Sequence, residues 1–307
     1  MARATTSKAP PAAKGALACF WPVALIILES VPACRPAGLR GNDSGVASII
    51  MTAPILEVRG LGRRFGGVVA LAGLDLTVRR GTVTALIGPN GAGKSTAFQC
   101  VSGVIRPDSG RVVFDGQDIT GWRSDRITGA GLVRSFQIAR GIPRLTVLEN
   151  LLLYGPAQPG EQVFGALLRP TATRAREAAL HERARTVAAR LNLTRVLDNQ
   201  AAALSGGQKK LMEIGRALMA EPRLLLLDEP VAGVNPSLSA EIATHIGTLR
   251  DEGMTVLVVE HHMDFVASLC DEVIVMAEGK FLTRGAFSEV AEDARVQEAY
   301  MGRRAHA

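Results

Sequence analysis

The sequence predicts an α/β fold built on a mostly parallel sheet with helices on both faces. Three observations predict it. Short β-rich runs alternate with helix-compatible segments along most of the chain, which is the pattern of parallel strands joined by crossover helices. One run, Leu224-Leu225-Leu226-Leu227, is apolar at odd and even positions alike, as a central strand buried on both faces must be. An Ala-, Leu- and Arg-rich stretch near 146–220 interrupts the alternation and reads as a helical insertion.

In chain order, residues 55–59 read as a strand, and 74–78 alternate apolar and polar as a second. Residues 82–87 are β-rich and run into a glycine loop, after which 94–101 are helix-compatible. Further short strands are expected at 111–114 and 132–136. Inside the insertion, 173–190 has the texture of a long exposed helix. Strand signals resume at 223–227, 254–259 and 273–276, and no internal repeat is found.

Composition removes several classes of function. A chain of 307 residues that is 47% hydrophobic can bury a large core and is not a disordered tail. Only 4% is aromatic, so stacking platforms for single-stranded nucleic acid are scarce. Of the net charge of +6, half sits in residues 1–50, where Arg3, Lys8, Lys14, Arg35 and Arg40 outweigh Glu29 and Asp43. The remainder is too weakly basic to make nucleic acid the partner. Cys19, Cys34, Cys100 and Cys270 form no C-x-x-C pair, so they read as small apolar residues in a reducing compartment. The longest apolar run, 16–28, contains Pro22 and falls short of the roughly 20 residues a membrane span needs.

Two motifs point to nucleotide chemistry. Gly88-Pro89-Asn90-Gly91-Ala92-Gly93-Lys94-Ser95-Thr96 fits G-x-x-x-x-G-K-[ST] and stands between a β-rich run and a helix. Glycines let backbone N–H groups surround phosphate oxygens, and the helix start adds its positive dipole end. Lys94 would reach the β- and γ-phosphates, and Ser95 would ligate Mg2+. The leucine run ends in Asp228-Glu229, at the strand end where open α/β sheets bind ligands. Asp228 would hold Mg2+ through water, and Glu229 would polarise the attacking water. A third motif, Leu204-Ser205-Gly206-Gly207-Gln208, is physically an anion-binding helix cap.

With that third motif the chain resembles the ABC-type ATPases, whose signature sequence it matches. The resemblance covers roughly residues 55–302. It implies an α/β P-loop NTPase with a mostly parallel core sheet, an N-terminal antiparallel β subdomain and an inserted helical subdomain near 138–220. It implies ATP and Mg2+ as cofactors, with Phe65 against adenine, Gln137 contacting Mg2+ or the lytic water, and His261 as a switch touching the γ-phosphate. His262 stands where the family usually has Asp. Asn235 replaces the Asp common at the loop between subunits, a change often met in the branched-chain amino acid import branch. Family members work as two ATPase subunits facing head to tail, so Ser205, Gly206, Gly207 and Gln208 would complete a partner's site. Those subunits sit on transmembrane permeases at the cytoplasmic face of the membrane and are served indirectly by a solute-binding protein. Arg134-Ser135-Phe136-Gln137, the insertion over 154–183 and the close Glu298-Ala299-Tyr300-Met301-Gly302 resemble the polar and branched-chain amino acid importers. Two alternatives stay open: a lipopolysaccharide-type exporter ATPase, and a DNA-repair or structural ABC ATPase.

Residues 1–50 stand outside this pattern. Basic residues, an apolar run and Val31-Pro32-Ala33 before Cys34 imitate a secretory signal. Export would take a motor away from its ATP, so the two readings exclude one another. The stretch is read as a leader, either absent from the native protein or disordered, with translation starting at or near Met51 and 51–307 forming the ATPase domain.

Overall fold

The computed structural model describes residues 53–135, 142–156 and 170–301, and among these the strands form two sheets. The first holds β1 (Leu56–Phe65), β2 (Val68–Val78), β4 (Ser109–Phe114) and β5 (Gln117–Asp118), ordered β2-β1-β4-β5 and antiparallel throughout. The second holds β3 (Val83–Ile87), β6 (Leu132–Arg134), β7 (Leu224–Asp228), β8 (Thr255–Val259), β9 (Glu272–Ala277) and β10 (Lys280–Gly285). Its order is β10-β9-β3-β8-β7-β6, parallel except for the β9–β10 hairpin. The chain thus has the α/β architecture with a mostly parallel core sheet and an N-terminal antiparallel sheet.

The leucine run explains why β7 is central. Side chains alternate along a strand. Leu224 and Leu226 therefore enter the core shared with the antiparallel sheet, while Leu225 and Leu227 enter the opposite core. Val256 and Val258 on β8 take the second side, and Leu257 and Val259 the first. An edge strand would leave one of these sets wet.

Helix α1 (Lys94–Val101) follows β3, and α2 (Ser124–Gly129) precedes β6. Between the neighbouring strands β6 and β7 lie α3 (Val147–Leu152), α4 (Pro170–Arg190) and α5 (Gly206–Met219). Thr146 and Glu149 form a reciprocal capping box at the start of α3. Asn150, buried on α3, donates its amide to the carbonyls of Ile142, Leu145 and Thr146 and accepts from the Ile142 N–H. Ala184, Val187 and Ala188 on α4 pack with Met212 and Ile214 on α5 in the second core. After β7 come α6 (Pro236–Asp251), α7 (Met263–Leu269), α8 (Phe287–Glu292) and α9 (Ala294–Met301). Among the described residues no helix is long and apolar enough to cross a membrane.

Strand boundaries differ from the expectation at particular places. β1 and β2 run well beyond 55–59 and 74–78 because their pairing carries register shifts near Val58–Leu61 and Arg63–Arg64, which erase the two-residue period. β6 ends at Arg134 rather than 136. β10 has no fully buried residue, so its sequence carries no apolar alternation to read. The expectations for residues 1–50 and Met51, and for Phe136 and Gln137, lie outside the described residues.

Burial pushes the Cys100 thiol up to about 11 and the Cys270 thiol up to about 12, the latter helped by the charges of Asp271 and Glu260. The thiolate is the reactive form. Native protein treated with iodoacetamide at pH 8 should therefore leave both unlabelled while unfolded protein is labelled at both. Peptide mapping that finds either one fully alkylated in the native state would contradict this.

Candidate nucleotide-binding site

The glycine loop joins the end of β3 to the start of α1 and is held from two sides. A Cβ at Gly88 (φ 151) would stand 2.1 Å from the Met276 carbonyl oxygen on β9. A Cβ at Gly93 (φ 95) would stand 2.4 Å from that of Ala70 on β2. Both positions combine left-handed backbone with contact to a neighbouring strand, so glycine is required at each. Ala92 is buried and its carbonyl accepts from the N–H of Gly279 in the β9–β10 turn at 3.1 Å. Pro89 accepts from the Ala92 N–H, while Asn90 and Gly91 form the exposed crest.

Lys94 opens α1, and its amine folds back over the loop to donate to the carbonyls of Gly88 at 2.6 Å and Pro89 at 3.0 Å. Burial lowers its pKa, and the nearby charges of Glu229 and Asp228 oppose that shift. Ser95 and Thr96 occupy the first turn, which carries no acidic residue. A cationic amine, exposed hydroxyl and free helix start on one glycine loop suit a polyphosphate.

The carboxylates come from the end of β7. Asp228 is 5% exposed, and its Oδ2 pairs with Arg134 at 2.7 Å. Its Oδ1 is buried with no hydrogen-bond partner among the described residues. A buried carboxylate oxygen left alone is costly. A hard cation beside it satisfies that oxygen, so the site fits Mg2+. Glu229 has φ 49, and its N–H donates to Val259 O at 2.9 Å. A left-handed non-glycine backbone costs on the order of 1 kcal/mol and is concentrated at functional sites. Here the bend ends the strand and leaves the Glu229 side chain 36% exposed.

β8 delivers the histidines. His261 Nδ1 lies 3.7 Å from Glu229 Oε1. The His262 ring turns instead to Glu260, with Nδ1 3.0 Å from Oε2. The geometry therefore brings His261, the first of the pair, to Glu229. Phe65 ends β1 and is 44% exposed, with the Arg63 guanidinium 4.9 Å from its ring centroid.

Ser205 caps α5. Its hydroxyl accepts from the Gln208 N–H at 3.2 Å, and the Gln208 side chain accepts from the Ser205 N–H at 3.0 Å. Gly206 faces open space, whereas Gly207 is buried and a Cβ there would meet Leu238 Cδ1 of α6 at 2.5 Å. The two glycines thus differ: Gly206 leaves room for a ligand, and Gly207 lets α5 approach α6. Among the described residues no hydrogen bond joins Ser205–Gln208 to the glycine loop. Asn235 caps α6 by accepting from the Leu238 N–H at 2.9 Å, a bond that Asn and Asp make equally well.

Two contacts were not read from the sequence. Arg134 stands in the sequence only as part of a motif, yet it pairs with Asp228, 94 residues away. Glu260, directly before His261, carries no role in the sequence reading. Its one signal is a carboxylate directly after the apolar run 256–259.

The sequence profile of the ABC transporter family matches residues 71–232. The probable branched-chain amino acid transport ATP-binding protein LivG of Methanocaldococcus jannaschii is 39% identical over 255 residues, covering 82% of this chain and 98% of that one. The high-affinity branched-chain amino acid transport ATP-binding protein BraF of Pseudomonas aeruginosa is 38% identical over 253 residues, covering 82% and 99%. Among solved structures, the ADP conformation of an ATP-binding cassette of an ABC transporter superposes with a TM-score of 0.72 at 38% identity, covering 82% of this chain and all of that one. A nucleotide-free cassette also gives 0.72, at 37% identity, covering 81% and 100%.

Proposed function

The chain belongs to the ABC transporter family as an ATP-hydrolysing cassette coupled to transport, and from this premise we propose that it energises import of branched-chain or related amino acids. The observation that carries the proposal is similarity along nearly the whole length of relatives named for that transport. As a cassette it binds nucleotide and associates peripherally with transmembrane permease partners. We place it on the cytoplasmic face, where ATP is supplied, with a solute-binding protein as an indirect partner.

Within the site, Gly88, Pro89, Asn90, Gly91, Ala92 and Gly93 would wrap the phosphates, with Lys94 as their cation and Phe65 stacking on adenine. Ser95, Asp228 and Gln137 would hold Mg2+, which supplies charge neutralisation of the transferring phosphoryl group. The buried lone oxygen of Asp228 supports that assignment. Glu229 would orient and polarise the attacking water, with His261 beside it to stabilise the charge that develops. Thr96 would close the phosphate turn. Ser205, Gly206, Gly207 and Gln208 would serve the site of a second ATPase subunit. The exposure of Ser205 and Gly206, and the absence among the described residues of hydrogen bonds from them to the glycine loop, support a head-to-tail pair.

Deleting the gene should abolish high-affinity uptake of labelled leucine, isoleucine and valine. The wild-type gene should restore it, and Glu229→Gln should not. Normal uptake with a defective outer membrane would overturn the importer reading in favour of a lipopolysaccharide-type exporter.

A further inference from the structure

We propose that Glu260 is a positioning residue whose carboxylate ties the loop after Glu229 to the loop bearing His261, and so sets the spacing of those two groups. The Glu260 side chain is fully buried. Its Oε1 accepts from the Val231 N–H at 3.0 Å. Its Oε2 accepts from the N–H groups of His261 at 3.0 Å and His262 at 3.3 Å, and stands 3.0 Å from His262 Nδ1. Val231 is two residues beyond Glu229. One side chain therefore binds backbone from the end of β7 and from the end of β8, on either side of the 3.7 Å approach of His261 to Glu229.

Chemistry explains why a carboxylate stands there. A buried charge is costly unless it is hydrogen-bonded, and a neutral side chain would fill the space more cheaply. A carboxylate is the side chain that accepts N–H groups from two directions at once. The isosteric amide accepts in one direction and turns its NH2 toward a backbone donor in the other. The cost of the buried charge is offset by three backbone bonds and the His262 ring. The result is a fixed geometry between two groups that must face the same phosphate.

The inference rests on the proposed pairing of His261 with Glu229. Its test uses the full chain, measuring single-turnover hydrolysis of bound ATP together with the dissociation constant of a fluorescent ATP analogue. Glu260→Gln should slow hydrolysis by about tenfold to a hundredfold, the usual effect of a misplacement near 1 Å, with the dissociation constant within about threefold of wild type. If Glu260 acts through His261, the double variant with His261→Ala should be no slower than His261→Ala alone, because residues that act as a unit are not additive. A wild-type rate in Glu260→Gln, or losses that multiply in the double variant, would overturn the proposal. A wild-type rate in His261→Ala would bring down the His261 reading and this one with it. Loss in His261→Ala without loss in Glu260→Gln removes this one alone. Should Glu260→Gln fail to fold, Glu260→Asp keeps the charge and withdraws it by one methylene. Its hydrolysis should still fall at unchanged nucleotide affinity, and an unchanged rate would refute the role.

Discussion

Glu229→Gln should leave nucleotide affinity within about threefold of wild type and cut hydrolysis by at least about a hundredfold, the scale on which a general base contributes. The substitution is close to a pure chemical test. Glutamine has the same shape, and the bond from residue 229 N–H to Val259 O does not involve the side chain. The side chain is 36% exposed, so no large packing loss accompanies the change. What disappears is the negative oxygen near His261 and the acceptor for a water proton. With binding intact and turnover blocked, ATP should persist at the interface, and the variant should accumulate as a dimer on size exclusion in Mg-ATP. Undiminished hydrolysis in a pure sample would remove Glu229 from the role and point to another base.

Legibility in the sequence followed the range of the interaction. The glycine loop was readable because all its parts lie within nine consecutive residues, and each residue type answers a local demand. The four leucines of β7 were readable because burial on both faces leaves its mark on every position. The paired carboxylates took their meaning from the strand they end. Contacts between distant segments left no such trace. Nothing near Arg134 in sequence says that it meets Asp228, and nothing near Glu260 says that it accepts from Val231 29 residues earlier. The division of labour between Gly206 and Gly207 was equally hidden, because it depends on where Leu238 of α6 arrives. The long strands β1 and β2 were under-read for a different reason: their bulges shift register and cancel the alternation on which strand reading relies. His261 fell between. Register from the run before it puts His261 first, and the structure separates the two histidines by the approach of His261 to Glu229 at 3.7 Å while His262 pairs with Glu260.

Lys94→Ala should weaken ATP binding by on the order of tenfold to a hundredfold and bring hydrolysis below detection. That range follows from a net loss of one hydrogen bond from a charged donor, which contributes about 1.5–3 kcal/mol. The loss in turnover is larger because charge on the transferring phosphoryl group grows as the bond breaks, so the cation contributes more there than in the bound state. The amine already lies over the loop, donating to Gly88 O and Pro89 O, and burial disfavours its charged form. Phosphate oxygens would replace those carbonyls as stronger acceptors and favour the charged form that burial disfavours. Arginine should not substitute well. Its planar fork is wider than an ammonium, which here sits 2.6 Å from Gly88 O and 3.0 Å from Pro89 O. Calorimetric titration with ATP and Mg2+ gives the binding loss directly. Wild-type affinity in Lys94→Ala would mean that the loop's backbone N–H groups alone hold the phosphates. The lysine would then be left acting in the hydrolytic step, and single-turnover rates of the same variant would measure that contribution.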